Sequence, residues 1–523
     1  MKIPKIIIPL LIIYLLVFIG HYYLFKPGIF PTEDGEKLII RFASFHQALR
    51  DGQIPPRWAG NLFHGFGYPV FIFLYPGLLI FWEIIRLLTG LSLESTVKVG
   101  LFSALLFSGF GMFFLLREFF DDFTATIAAS IYPLLPYIYF DLYMRGSFGE
   151  VTGFSLIPFL FLAIIKFLKK NNIKWFLFGS LFWAGLLLVH NVEAILFSGL
   201  CLLYISVQLI NLKKRTYLIF LMPVFAASLG SFFLMPAFWE RIYTIFYQTP
   251  VANPSGYFLS IKTNFLVEPY HYGILYLFIM LLGIVAALVK KTNKNLIFFF
   301  IAVCTVSIIF SMRISQSLWN LLSLATYVQF PYRFLSLVTF SIPFLAASFL
   351  GFIKNKYISV ILLLVFLLIS LDFFRPTEGN VRADNYYLTN MDPTTSANEY
   401  LPENVKDVPD KMPKNKLELK GNYLILNQKS NLLDLEIESY ENQIIKVNTF
   451  YYPGWKLFIN NEIKPIIVDN KTGLIKFRLD KNKFKVSLRF EKTNLRIISE
   501  IITLISFAGL IVLVFASKKN SND

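Results

Sequence analysis

Long apolar runs recur along the whole chain, near 5–25, 69–90, 97–117, 123–141, 152–168, 175–189, 192–210, 217–237, 271–289, 295–312, 333–353, 357–371 and 495–516. An α-helix rises about 1.5 Å per residue, so roughly twenty apolar residues cross a hydrocarbon core. The pattern therefore dictates a mostly α, polytopic membrane protein. Composition agrees: 56% of the 523 residues are hydrophobic and 16% charged, and the mean hydropathy is +0.59. The formal charge of +16 reads as lysines in short loops and in a polar tail, with no nucleic-acid partner. Cys201 and Cys304 both fall inside apolar runs and read as core residues. The start, "MKIPKIIIPLLIIYLLVFIGHYYLF", has no small-residue cleavage site after its apolar stretch and reads as an uncleaved first span.

Orientation follows from lysine placement. The clusters are Lys2/Lys5, "KFLKKNNIK" (166–174), "NLKKR" (211–215), "KKTNK" (290–294), "KNK" (354–356) and Lys518/Lys519. If every run crosses, Lys2 and Lys5 land opposite all the others. Run 69–90 contains Pro76-Gly77, Glu83 and Arg86, so it is expected to lie re-entrant or juxtamembrane. About twelve spans then remain, both termini are cytoplasmic, and 26–95 and 373–494 are extracytoplasmic in the plasma membrane of the cell. Leu38, Phe42, Phe45 and Leu49 repeat at helical spacing and predict an amphipathic helix in the interface.

The same parity gathers polar groups on the outer face. They include Asp34, "DLYMRGSFGE" (141–150), "WERIY" (239–243), "EPYHYG" (268–273), "QFPYRF" (329–334) and all five histidines. Charged groups near membrane depth are usually functional. Each also has a structural reading. Asp34 is a favoured helix N-cap, Asp141 and Glu150 can simply pair with Arg145, His190 and Glu193 sit at a tight turn, and Arg333 can snorkel. His21 and His271 read as interfacial. The histidine spacings make no zinc signature.

Outer carboxylates with arginines nearby suit sugar transfer from a lipid phosphate. A carboxylate is the base for an acceptor hydroxyl, and guanidinium groups hold the phosphate. The candidate catalytic set is Asp34, Glu150 and Asp141. The candidate substrate-binding set is Arg57, Arg145, His190, Arg333, His46 and His64. A divalent cation, Mg2+ or Mn2+, would take its ligands from Asp34, Asp141 or Glu150.

Several stretches resemble known families. "DGEKLIIRFASFHQALRDGQIPPRWAGNLFHGFGYPVFIFLYPG", "YMRGSFGE", "LLLVHN" and "VQFPYRFL" are similar to the membrane family labelled 6-pyruvoyl-tetrahydropterin synthase-related. The tail "FYYPGWKLFINNEIKPIIVDNKTGLIKFRL" and "EYLP" resemble YfhO-like membrane proteins. A first span, an outer aspartate, a juxtamembrane helix and a second acidic loop resemble the GT-C superfamily of glycosyltransferases. That resemblance implies a GT-C-like bundle with Asp34 as the catalytic carboxylate and Glu150 or Asp141 as the second acidic site. It also implies a polyprenyl-phosphate-linked sugar as donor and an envelope glycan, lipid or protein as acceptor. The chain departs from the superfamily's DxD or ExD pattern, offering only "TED" at 32–34. The label's pterin chemistry lacks its three-histidine pattern here.

The expected organisation is a transmembrane domain over 1–372, a linker and β-sandwich over 373–494, and a last span with a short tail over 495–523. "KLELKGNYLILNQ", "LLDLEIES", "QIIKVNTFYY", "GLIKFRL" and "FKVSLRF" alternate with period two between turn residues. Tyr451, Tyr452 and Trp455 are read as core in preference to a sugar platform. Two other functions fit the same chain: a transporter or flippase of lipid-linked saccharides, which should place charges at mid-depth and repeat its halves, or an envelope scaffold for which Asp34 is dispensable.

Overall fold

The computed structural model describes residues 6–210, 214–245, 254–260, 273–289, 293–373, 375–395 and 397–519. His271, Glu268, Lys2 and Lys5 lie outside the described residues. The first run forms α1 (Ile7–Gly20), and the polar stretch after it forms α2 (Gly35–Arg50). Run 69–90 is not one helix. It divides into α3 (Val70–Phe73) and α4 (Pro76–Thr89), because Leu74 and Tyr75 are extended and Pro76 opens a new helix. Then follow α5 (Leu93–Leu116), α6 (Asp122–Ile131), α7 (Pro136–Tyr139) with a π-helical turn at Phe140–Arg145, α8 (Phe148–Lys170), α9 (Ile173–Val189) and α10 (Asn191–Leu209).

The run at 217–237 was expected to cross as one helix, and it breaks. α11 (Leu221–Leu229) and α12 (Ser231–Trp239) meet at Gly230, and the two arms bend by 77°. Thr503 Oγ1 takes the Phe232 N–H at 2.9 Å, so a side chain of the last helix satisfies a backbone donor at the break. The remaining helices are α13 (Gly273–Val289), α14 (Lys294–Ser311), α15 (Gln316–Leu321), α16 (Leu324–Val328), α17 (Leu335–Leu350), α18 (Lys356–Phe373), α19 (Asp384–Leu388) and α20 (Asn494–Lys519). Among the described residues, seven helical stretches are long and apolar enough to cross a membrane, eight if the bent pair counts as one; four shorter apolar helices accompany them. Apolar side chains hold the bundle together, as where Phe300 stacks on Phe344 at 3.9 Å between α14 and α17.

The two ends of the bundle differ. At one end, the lysine loops converge on the α5–α6 turn: Lys169 pairs with Glu118 at 3.3 Å, Asn293 Nδ2 donates to Phe119 O at 2.8 Å, and Lys356 lies over the Phe123 ring. At the other end sits the β-domain. Its strands are β1 (Leu417–Glu418), β2 (Gly421–Lys429), β3 (Leu432–Ser439), β4 (Gln443–Phe450), β5 (Trp455–Ile459), β6 (Glu462–Lys464), β7 (Ile467–Val468), β8 (Leu474–Leu479) and β9 (Asn482–Phe490). They form two antiparallel sheets, ordered β1-β4-β8-β7 and β2-β3-β9-β5-β6. Alternation holds where one face is covered: Leu433, Leu435 and Ile437 of β3 are buried.

The β-domain is seated on the segment after α2. Trp58 packs edge-on against Trp455 and tilted against Phe490, Phe66 stacks on Phe450 at 5.2 Å, and Ser430 N donates to Asp51 at 2.7 Å. Trp455 and Tyr452 are thus buried in the seam, and Tyr452 OH donates to Glu240 O at 3.0 Å. The stretch after α18, expected as linker, is a strap. Asp384 pairs with Arg86 at 2.8 Å, Tyr387 OH donates to Glu94 at 2.6 Å, and Tyr68 OH meets Thr394 Oγ1 at 2.6 Å. Covered by this strap, α2 buries Leu38, Ile39, Ile40, Phe42, Ala43 and Phe45, more sides than a helix lying in an interface would bury.

Candidate functional site

The π-helical turn at Phe140–Arg145 ends in Gly146, whose φ of 67° lies in the left-handed region. A Cβ at Gly146 would also stand 2.5 Å from Gly35 N. Only glycine fits there, and the reason is a close approach. Glu33 N donates to Met144 O at 2.9 Å, and Asp34 N donates to Arg145 O at 3.0 Å. Two backbone hydrogen bonds therefore fasten the turn bearing Asp34 to the turn bearing Arg145.

Behind that junction lies a buried charge cluster. Arg145 Nη1 donates to Asp141 Oδ1 at 2.5 Å and to Glu150 Oε1 at 2.9 Å. Glu150, at 0% exposure, also accepts from Arg333 Nε at 3.1 Å, Ser147 Oγ at 3.1 Å and Tyr137 OH at 3.0 Å. Arg333 Nη1 reaches Gln329 Oε1 at 2.6 Å. His190 is the N-cap of α10, and its Nδ1 accepts from Glu193 N at 3.3 Å. The proton of the neutral ring then sits on Nε2, 3.7 Å from Glu150 Oε1. The cluster is incompletely satisfied. Asp141 Oδ2 and both Glu193 oxygens are buried without a well-formed hydrogen bond, and the Ser336 hydroxyl, likewise unsatisfied, is the neighbour of Glu193.

The sequence-derived candidates fall into three groups. Asp141, Arg145, Glu150, His190 and Arg333 come together in this cluster. Asp34 adjoins it through the backbone, yet its carboxylate faces solvent, 67% exposed and 3.5 Å from Lys37 Nζ. It stands at the N-cap position of α2 but makes no capping bond; Thr32 Oγ1 takes the Gly35 N–H at 2.9 Å. So the exposed acid and the two buried ones meet at one junction, Asp34 through its backbone and the others through their side chains. Arg57, His46 and His64 lie elsewhere. Arg57 donates to Phe232 O at 2.7 Å and pairs with Glu500 at 3.4 Å under the β-domain. His46 Nδ1 donates to Glu83 at 2.8 Å between α2 and α4. His64 sits at a φ of 58°, its N–H bonded to Met391 O under the strap.

A cation finds no cage in these residues. Among the described residues no three His, Cys, Asp or Glu side chains are grouped to hold a metal. The Arg145-bonded oxygen of Asp141, both oxygens of Glu150 and the His190 Nδ1 are already engaged, and the Asp34 carboxylate is exposed and paired with Lys37.

Sequence reasoning missed a second buried cluster. Arg496, fully buried at the start of α20, forms bonds of 2.8 to 3.1 Å with both oxygens of Glu240. An arginine opening the last apolar run was the available signal. Glu193, set aside as a turn residue, proves the least satisfied acid of the fold's described part.

The family described as 6-pyruvoyl-tetrahydropterin synthase related domain, a membrane protein, matches residues 82–375. An uncharacterized protein of Lactococcus lactis subsp. cremoris (strain MG1363) is 28% identical over 206 residues, 38% of this chain and 34% of that one. The chain thus spans about a third of that relative's length. Among solved structures, the mycobacterial arabinofuranosyltransferase AftD aligns at a TM-score of 0.47 and 14% identity, over 70% of this chain and 26% of that one. The Archaeoglobus fulgidus oligosaccharyltransferase in the apo form aligns at 0.42 and 12%, over 76% and 61%.

Proposed function

We propose, from the premise that this chain belongs to the 6-pyruvoyl-tetrahydropterin synthase related family of membrane proteins, that it is a glycosyltransferase. It moves a sugar from a polyprenyl-phosphate donor to a cell-envelope acceptor on the outer face, the face that carries the β-domain. Asp34 is the base that takes the acceptor hydroxyl's proton as that oxygen bonds to the anomeric carbon and the bond from this carbon to the phosphate oxygen breaks, with inversion. The leaving group is the lipid phosphate. Glu150, Arg145 and Arg333 form the buried mount behind it, and no step passes through a metal ion.

The observation that carries this reading is the pinned Asp34 turn. An exposed carboxylate is a poor general base if it wanders, because catalysis requires it within hydrogen-bond reach of the reacting hydroxyl. The bonds from Glu33 N to Met144 O and from Asp34 N to Arg145 O fix its backbone to a cluster that cannot easily move. The broken helix at Gly230 favours the transporter reading, since discontinuous helices serve substrate sites in transporters. Against it, the buried charges described lie at the β-domain end of the helices and not at mid-depth.

The test is sugar transfer in proteoliposomes with a panel of polyprenyl-phosphate sugars, comparing wild type with Asp34→Asn at equal folded yield. Transfer is expected to fall on the order of 10²-fold or more. Unchanged transfer would remove Asp34 from the chemistry. Saccharide flux without any transfer would give the transporter reading precedence.

A further inference from the structure

Two groups beside Asp34 lack the partners their chemistry calls for. Arg41 sits on α2, two turns beyond Asp34. Its Nε donates to Thr394 Oγ1 at 3.0 Å and its Nη2 to Thr394 O. Both are neutral acceptors, and among the described residues no carboxylate lies within ion-pair reach of it. The other arginines nearby, Arg86, Arg145, Arg333 and Arg382, each have a carboxylate. A half-buried guanidinium held without a counter-charge is expensive unless an anion completes it.

The second group is Tyr75, at the extended break between α3 and α4. Its ring is fixed on two sides. A Cβ at Gly149 would lie 2.9 to 3.0 Å from the ring and its oxygen, and the His190 ring stands edge-on at 5.2 Å. The side chain is half-buried, yet its hydroxyl makes no hydrogen bond among the described residues. The charges that bear on this hydroxyl are, in order, Arg41, Glu150, Arg333 and Asp34. Burial pushes it up to about 12, so at neutral pH it keeps its proton and can donate.

Tyr75 packs on Gly149, and the adjacent Phe148 packs on Gly35 at the start of the helix that carries Arg41, so a locked phenol donor and an uncompensated arginine flank the same junction and suit a negatively charged ligand. We propose that Arg41 and Tyr75 bind the phosphate of a lipid phosphate, Arg41 through guanidinium N–H groups and Tyr75 through its O–H, at the edge of the Asp34 turn. This deepens the glycosyltransferase reading and rests on it. The lipid source is argued from α4, which begins at Pro76 directly after Tyr75 and turns Ile84, Leu87 and Leu88 outward, at 51%, 73% and 81% exposure. That is an apolar flank on which a prenyl chain can lie.

Binding to the purified full chain tests it, with farnesyl phosphate, farnesol and inorganic phosphate as separate probes. Tyr75→Phe keeps the ring contacts with Gly149 and His190 and should fold normally. It is expected to weaken farnesyl phosphate roughly tenfold, the loss of one hydrogen bond to a charged group, and Arg41→Gln more than that. Neither should move farnesol. Wild-type affinity in Tyr75→Phe, or a donor KM unaltered in both variants while Asp34→Asn abolishes transfer, overturns this assignment and leaves the parent reading standing. Equal affinity for inorganic phosphate overturns the lipid assignment. A wild type that ignores farnesyl phosphate overturns the lipid-phosphate assignment, while the parent reading stands or falls on the sugar-transfer assay.

Discussion

The cluster behind Asp34 holds two arginines against three carboxylates; the seam under the β-domain holds Arg57 and Arg496 against two, Glu240 and Glu500. Both sit at the same end of the bundle, the cluster buried and the seam buried at Glu240, Arg57 and Arg496 but half-buried at Glu500. In the seam each carboxylate oxygen is used. Glu240 meets Arg496 and Thr493, and Glu500 meets Arg57 and Lys492. In the cluster, Asp141 Oδ2 and both oxygens of Glu193 have no partner. Buried carboxylates whose oxygens are all used brace a structure, even though Arg57 keeps an unpartnered Nε in the seam; buried acids with unused oxygens cost free energy that a purely structural role does not call for. The difference separates a clamp from a site. The clamp also explains Arg57: it joins the segment carrying Trp58 to α20, so the β-domain and the last helix are tied to the bundle at one place.

The largest effect should come from breaking the clamp. Glu240→Gln leaves Arg496 buried beside an amide, and Arg496→Met strands Glu240. Each is expected to cost about 3–5 kcal/mol, while the double variant Glu240→Leu/Arg496→Met should recover most of it. Thermal unfolding of the four proteins in one detergent measures this. Single variants that unfold at the wild-type temperature would show that the seam is no brace, and the contrast with the cluster would collapse.

The cluster should respond in the opposite way at its unpaired acid. Glu193 has no ion pair and no well-formed hydrogen bond, with Ser336 as its hydroxyl neighbour, so Glu193→Leu gives up at most that contact. Stability is expected to stay within about 1 kcal/mol of wild type or to rise. Sugar transfer or lipid-phosphate binding should fall. If Glu193→Leu is instead as destabilising as Glu240→Gln, both clusters are structural and Asp34 loses its mount as an argument.

What the sequence revealed of this contrast follows from range. Asp141, Arg145 and Glu150 are spaced four and five residues apart, so their clamp could be read locally. That Arg333 and His190 join it could be anticipated only from the shared face, because hydropathy places spans but not their rotations. Arg57 was read as a free phosphate binder because its partner Glu500 lies 443 residues away. The strap passed for a linker since its Pro- and Asn-rich composition is loop-like; Asp384, Tyr387 and Thr394 acquire meaning only against Arg86, Glu94 and Arg41. Gly230 stood in an apolar stretch whose hydropathy is the same on both sides of the break. The run at 69–90, by contrast, carried its own interruption in Pro76-Gly77.

The smallest expected effect sharpens the seam. Lys416 Nζ donates to Asn448 O at 2.9 Å and to Gly65 O at 3.3 Å, bridging the β-domain to the segment beneath it. Neither acceptor is charged, and burial brings its ammonium down to about 8, against about 10.4 for an unfolded lysine. A pKa depressed by folding means that the folded state sheds the proton more readily. The stabilisation is present in full above about 10.4 and is lost as pH falls through about 8. Raising pH from about 7 to about 9 should therefore raise the wild-type unfolding temperature by a small amount. Arg57, pulled down to about 10 chiefly by burial, stays charged over most of that range and adds little slope of its own. Lys416→Met should flatten the profile. A slope that survives the substitution would place the titrating group elsewhere, and a slope that vanishes equally in Glu240→Gln would show that seating of the β-domain, and not Lys416 alone, sets it.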